Sequence, residues 1–270
     1  MKSKLRIPFS IPILGEAFID TNNPTLFSTI SFIREVEISL NSFHRASLPI
    51  FDKFIKKVME KYLTEKGFCF EVNVIPSNDD FLSLTSILYS AYEFFKDDII
   101  DLMDKLHGAS LITLMRALTS LSGGFVIFRK SEGAISIDGS LDSAILINIK
   151  NRRKFSNKIL KRLANDFPEL YQPILHTIGH LTIEGGKAIR RGDFEKLGRL
   201  LSIESGLSLT LGLIKPKELL KISKIKNIYG AKVISAGDIV GHIILTPKDF
   251  SQYGAFQKYY FIDHGVTEIE

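Results

Sequence analysis

The chain has 270 residues, 45% of them hydrophobic and 24% charged, with a net charge of +5. These are ordinary proportions for a globular protein, and the length suits one large domain or two lobes sharing a core. The single cysteine, Cys69, excludes an internal disulfide framework, and no apolar run is long enough to span a bilayer. No N-terminal signal region is visible, so a cytoplasmic location is the expectation. The basic residues are mostly scattered among acidic neighbours, which reads as a solvated surface rather than a nucleic-acid footprint. Lys150-Asn151-Arg152-Arg153-Lys154 and the pair Arg190-Arg191 are denser, and would suit the mouth of a site for an anionic metabolite.

Residues 5–14 and 26–40 read as strands, rich in Ile and Phe with partial alternation. Ile50, Phe54, Ile55, Val58, Met59 and Tyr62 recur at helical spacing, with Gly67 just beyond. Cys69 lies between Phe68 and Phe70 as a small buried hydrophobe, and residues 71–75 form a strand. Phe81, Leu84, Ile87, Leu88 and Ala91 mark the next helix, whose N-terminal end suits Asp79-Asp80. Residues 111–121 are helical, and Gly123-Gly124 opens strands at 125–128, 134–138 and 144–149. Beyond residue 150 the chain turns mostly helical, at 153–165, 169–191, 193–204 and 216–224. The last strands are 231–235, 242–246 and 258–262. Hairpins stand where βαβ units would need helices, so the fold class is α+β. A soft boundary near residue 150 separates an N-terminal lobe, 1–150, from a C-terminal lobe, 151–270.

Gly230-Ala231-Lys232-Val233-Ile234-Ser235-Ala236-Gly237-Asp238 crowds small residues into a turn between two apolar segments. Such a turn lets backbone N–H groups approach a phosphate or carboxylate, although turn chemistry alone is equally satisfied by a tight hairpin. In its place in the chain the stretch resembles the third motif of the GHMP small-molecule kinase superfamily, which includes galactokinase, homoserine kinase and mevalonate kinase. Gly192-Asp193-Phe194-Glu195-Lys196-Leu197-Gly198-Arg199-Leu200-Leu201 looks like the "GD-x-E-x-LG-x-LM" helix of mevalonate kinases. Ser205-Gly206-Leu207 through Leu211-Gly212-Leu213 looks like the turn that follows it. Near the front, Ile13-Leu14-Gly15-Glu16 stands for "LFGE" and Asn23-Pro24-Thr25-Leu26 for "KPAL". The resemblance implies a two-lobed GHMP-kinase-type fold, with a ribosomal protein S5 domain 2-like N-terminal lobe and a ferredoxin-like C-terminal lobe.

Several functional positions depart from the family. Its phosphate loop, "P-x-x-x-G-L-G-S-S-A", falls on Pro76-Ser77-Asn78-Asp79-Asp80-Phe81-Leu82-Ser83-Leu84-Thr85. Pro76 and Ser83 match, whereas Asp80 and Leu82 replace glycines. Two carboxylates there would repel a triphosphate, by about 4 kcal/mol per pair of unit charges at 4 Å and an effective dielectric of 20, unless Mg2+ neutralised them. The family's catalytic aspartate falls on Arg116, its first-motif lysine near Ser10 and its histidine on Ala17. An arginine is no general base, but it grips phosphate or carboxylate bidentately. Ser122-Gly123-Gly124-Phe125-Val126 also resembles the "S-x-x-G-G-F-V" segment of mevalonate diphosphate decarboxylases, whose arginine falls on Thr119.

The resemblance therefore implies a kinase acting on mevalonate or a phosphomevalonate with ATP and Mg2+. Its alternatives are an ATP-independent decarboxylase of mevalonate 3,5-bisphosphate, which needs no cofactor, and a non-catalytic paralogue. By the same resemblance Arg116 is the catalytic candidate, and Glu16, Arg116 and Thr119 are candidates for substrate binding. Ser83, Ser235, Ala236 and Gly237 are candidates for cofactor binding. The partner implied is a small anionic metabolite, with no nucleic acid and no membrane, and a homodimer is left open. His176 and His180 form an i,i+4 pair that could bind Zn2+ if a third ligand joined them, and spacing alone assigns no metal.

Overall fold

A computed structural model describes residues 2–41, 53–66, 69–74, 80–95, 102, 105–106, 110–139, 142–151, 158–236, 239–251, 254 and 256–269. The chain folds into two compact units that interleave along the sequence. One comprises Met1–Ser10, Phe32–Gly123 and His264–Glu270, the other Ile11–Ser31 and Gly124–Asp263. This division differs from a single boundary near residue 150. Strands β1 (Lys2–Leu14) and β2 (Thr25–Asn41) each begin in one unit and end in the other. No linker composition signals such a crossing.

In the first unit, β1 pairs antiparallel with β10 (Thr267–Ile269), in the register Lys4↔Ile269. The far half of β2 pairs with β3 (Cys69–Val74), from Val36↔Val74 to Asn41↔Cys69. The same unit carries helices α1 (Lys53–Glu65), α2 (Asp80–Phe95) and α3 (Leu111–Ser122). Each follows the apolar spacing of its sequence. Ile55, Met59, Tyr62 and Leu63 are the buried stripe of α1, and Phe81, Leu84, Ile87, Leu88 and Ala91 are fully buried on α2.

In the second unit, the near half of β2 pairs with β4 (Phe125–Arg129), and β4 with β5 (Gly133–Ile137). A separate four-stranded sheet has the order β7-β8-β6-β9. It is formed by β6 (Ala144–Asn151), β7 (Gly230–Ala236), β8 (Ile239–Thr246) and β9 (Gln257–Tyr260). Ala144, Ile145, Leu146, Ile243, Ile244 and Leu245 are fully buried, which explains why β6 and β8 read as continuous apolar runs rather than alternating ones. Among the described residues, four helices accompany the sheet: α4 (Lys158–Asp166), α5 (Pro168–Arg191), α6 (Phe194–Thr210) and α7 (Pro216–Ile222). Gly192, in a left-handed conformation, ends α5, and Asp193 caps α6 by accepting a hydrogen bond from the Lys196 N–H at 2.9 Å.

Helix α6 continues to Thr210, into the stretch Ser205-Gly206-Leu207 through Leu211-Gly212-Leu213 expected to form a turn. The chain turns only near the end of that stretch, at Gly212 with φ 70°. Ser205 and Ser208 are buried against the sheet, and this packing outweighs the low helix propensity of Gly206. No helix among the described residues is long and apolar enough to cross a membrane.

Candidate functional site

In the second unit, Gly15 ends β1 in a left-handed conformation at φ 81°, and a 3₁₀ turn over Glu16–Thr21 follows. A Cβ on Gly15 would lie 2.4 Å from the Pro24 carbonyl oxygen, so only glycine fits. That turn carries the Glu16 carboxylate inward. Lys232 reaches it from β7, where it stands on a strand otherwise made of small and apolar residues. Its ammonium is ion-paired to Glu16, lies 2.9 Å from Glu204 Oε2 and donates to the Ile13 carbonyl at 3.1 Å. Glu204 projects from α6, and its other oxygen accepts the Gly15 N–H at 2.9 Å. The Lys232 side chain is 0% exposed, that of Glu16 3% and that of Glu204 1%.

Two carboxylates thus face one ammonium inside the protein, leaving one negative charge in surplus. Burial, with Glu204 adding to it, pushes the Glu16 carboxyl up to about 7 against the pull of Lys232. Burial also works against the Lys232 charge, but Glu16 and Glu204 together outweigh it and hold the ammonium above its usual range.

The strand carrying Lys232 is an edge strand, and α6 covers it. Ser202 Oγ accepts the Ala231 N–H and Ser205 Oγ the Val233 N–H, both at 3.2 Å. Gly198 and Gly230 permit this approach, since a Cβ on Gly230 would fall 1.9 Å from the Gly198 carbonyl oxygen. The ladder between β7 and β8 ends at Ser235↔Val240 and Ala236↔Ile239, so the small-residue stretch closes as a hairpin. Gly237 and Asp238, which join the strands, lie outside the described residues. The side chains of Ser235 and Ala236 are likewise not described, and their backbone is strand.

In the first unit, Arg116 on α3 is 1% exposed. Its guanidinium carbon sits 3.9 Å from the Phe81 ring centroid and 4.8 Å from that of Phe9. Arg116 Nε donates to the Ser10 carbonyl at 3.0 Å, and Ser10 Oγ donates to the Arg116 carbonyl at 2.7 Å. By the resemblance the family's catalytic aspartate falls on Arg116 and its first-motif lysine near Ser10, and these two residues are in contact.

Thr119, one turn along α3, is buried and donates to the Met115 carbonyl at 2.7 Å. Ser83 is buried in the first turns of α2, while Asp80, which opens that helix, is partly exposed. Pro76 and Asp79 lie outside the described residues. No cluster of three or more metal-ligating side chains occurs among the described residues.

Sequence reading nominated Glu16 and Arg116 but not the partners that hold them. Lys232 carried a signal, as the one charge inside an apolar strand. Glu204 carried none, because it reads as an ordinary helical acid.

Along its length the chain resembles mevalonate-type enzymes. The mevalonate kinase of Saccharolobus solfataricus is 24% identical over 284 residues, spanning 90% of this chain and 90% of that protein. Among solved structures, mevalonate kinase from Methanococcus jannaschii superposes with a TM-score of 0.70 at 14% identity, covering 98% of this chain and 99% of that one. The fold is the GHMP-kinase fold. A second GHMP-type neighbour is mevalonate diphosphate decarboxylase from Enterococcus faecalis, where mevalonate diphosphate mediates ATP binding. Its TM-score is 0.66 at 17% identity, with 100% of this chain and 99% of that one covered. No family model matches the chain.

Proposed function

We propose that the protein is a mevalonate-type enzyme of the GHMP fold, a small-molecule kinase acting on mevalonate or a phosphomevalonate. The observation that carries this reading is the similarity to a mevalonate kinase across 90% of both chains. Phosphoryl transfer depends mainly on positioning and charge neutralisation, so it survives the absence of a carboxylate base at position 116. Arg116 has the chemistry to neutralise a phosphate or carboxylate of the substrate, and its guanidinium lies against the Phe9 and Phe81 rings. Asp80 would hold the divalent cation that accompanies ATP, whose terminal phosphoryl group is the one transferred. The ligand so described is a small anionic metabolite.

The charge at position 116 favours a second reading. A lyase acting on mevalonate 3,5-bisphosphate needs neither ATP nor a base. Its carboxylate leaves as CO2, the released C–C electron pair forms the double bond, and the 3-phosphate departs with the C–O electron pair. A buried arginine suits the charge of that departing phosphate.

Phosphorus NMR on purified protein with mevalonate, its monophosphates and its 3,5-bisphosphate, with and without Mg-ATP, separates the readings. A kinase converts ATP to ADP in step with substrate. A lyase releases inorganic phosphate from the bisphosphate without nucleotide. Neither reaction across the panel overturns both.

A further inference from the structure

Helix α5 carries a feature that the reading above does not use. His176 and His180 lie one turn apart on the same helical face, and both are exposed. Their Nε2 atoms are 3.1 Å apart, and the rings meet at 89° with centroids 4.5 Å apart. This is the separation of an N–H···N hydrogen bond, and a metal ion can take the place of the proton between the two nitrogens. Ligand nitrogens about 2.0–2.1 Å from one metal ion are roughly 2.9 Å apart at a right angle and roughly 3.4 Å apart at the tetrahedral angle. The observed spacing falls between these limits.

The geometry points to a metal site on α5: His176 and His180 form a two-imidazole chelate for a divalent transition-metal ion of the Cu2+, Ni2+ or Zn2+ class, completed by water. Imidazole ligation selects these ions over Mg2+ and Ca2+, which prefer oxygen. With two protein ligands and an open, exposed face, the site is an exchangeable one. It clamps a single helical turn and raises the stability of the folded chain in proportion to occupancy. Cu2+ binds most tightly in the series.

Calorimetry on the full chain at about pH 7.5, where imidazole is mostly neutral, tests this with Cu2+, Zn2+ and Mg2+. The variants are H176A and H180A, both at exposed positions where substitution has little effect on folding. The wild type is expected to bind one Cu2+ ion, with Zn2+ weaker and Mg2+ undetected. Each single variant should lose at least about tenfold in Cu2+ affinity, because the second nitrogen binds at the high effective concentration set by the first. Cu2+ should also raise the melting temperature of the wild type and of neither variant. If either variant retains wild-type Cu2+ affinity, or the wild type binds Cu2+ no better than both variants do, the chelate does not exist and the pair is a simple N–H···N hydrogen bond.

Discussion

Replacing Glu16 by glutamine removes the surplus negative charge of the Glu16–Lys232–Glu204 group while leaving Lys232 paired with Glu204. The consequence is a changed pH dependence of stability. The Glu16 carboxyl titrates at about 7 in the folded protein against 4.5 for an unperturbed glutamate. Between those values the folded state holds a proton that the unfolded state has released. Stability therefore falls as pH rises from about 4.5 to about 7 and is level above. At 1.36 kcal/mol per pH unit the fall amounts to about 3 kcal/mol. Most other perturbed carboxylates act elsewhere. Glu184, held down to about 2 by its hydrogen bonds to Lys187 and Lys196, loses its contribution only on acidification below the ordinary glutamate range. Urea denaturation of wild type and E16Q at pH 5, 6, 7 and 8 reads the difference directly. The stability of E16Q relative to wild type should rise by about 2–3 kcal/mol between pH 5 and pH 8, the part of the fall that lies in this range. Parallel pH profiles for the two proteins would refute the charge assignment.

Other substitutions have equally definite outcomes. K232M leaves two buried carboxylates without their cation and should cost about 3–5 kcal/mol, whereas K232M combined with E16Q should recover part of that in the same denaturation assay. G230A forces a methyl group into the Gly198 backbone, and its melting temperature should fall by more than that of G206A, where a Cβ meets nothing within 4 Å. R116A should weaken binding of a phosphorylated mevalonate by about 1.5–3 kcal/mol in calorimetry, with R116K recovering charge but not bidentate geometry. Unchanged affinity in R116A would remove Arg116 from the site.

Much of the fold was legible because the elements follow simple periods. The apolar runs of β6 and β8 mark strands buried on both faces, and the spacing of Ile55, Met59 and Tyr62 marks α1. The end of α6 was not legible, because Gly206 reads as a stop until the sheet that buries Ser205 is present. Counting along the motifs singled out Arg116 and set a lysine position near Ser10, but the contact between Arg116 and Ser10 was not legible, because it joins residues 106 positions apart. The pairing of Glu16 with Lys232 was not, because it spans 216 positions and no local pattern encodes a contact of that range. The interleaving of the two units is hidden for the same reason. Composition changes little where β1 and β2 pass from one unit to the other.

That interleaving bears on the order of folding. The first unit needs β10, from His264–Glu270, to pair with β1, which starts in Met1–Ser10. The second joins Ile11–Ser31 to Gly124–Asp263. Neither unit is built from one continuous stretch, so each must bring together segments far apart in the sequence. Contacts of that range close at a cost in chain entropy and form slowly.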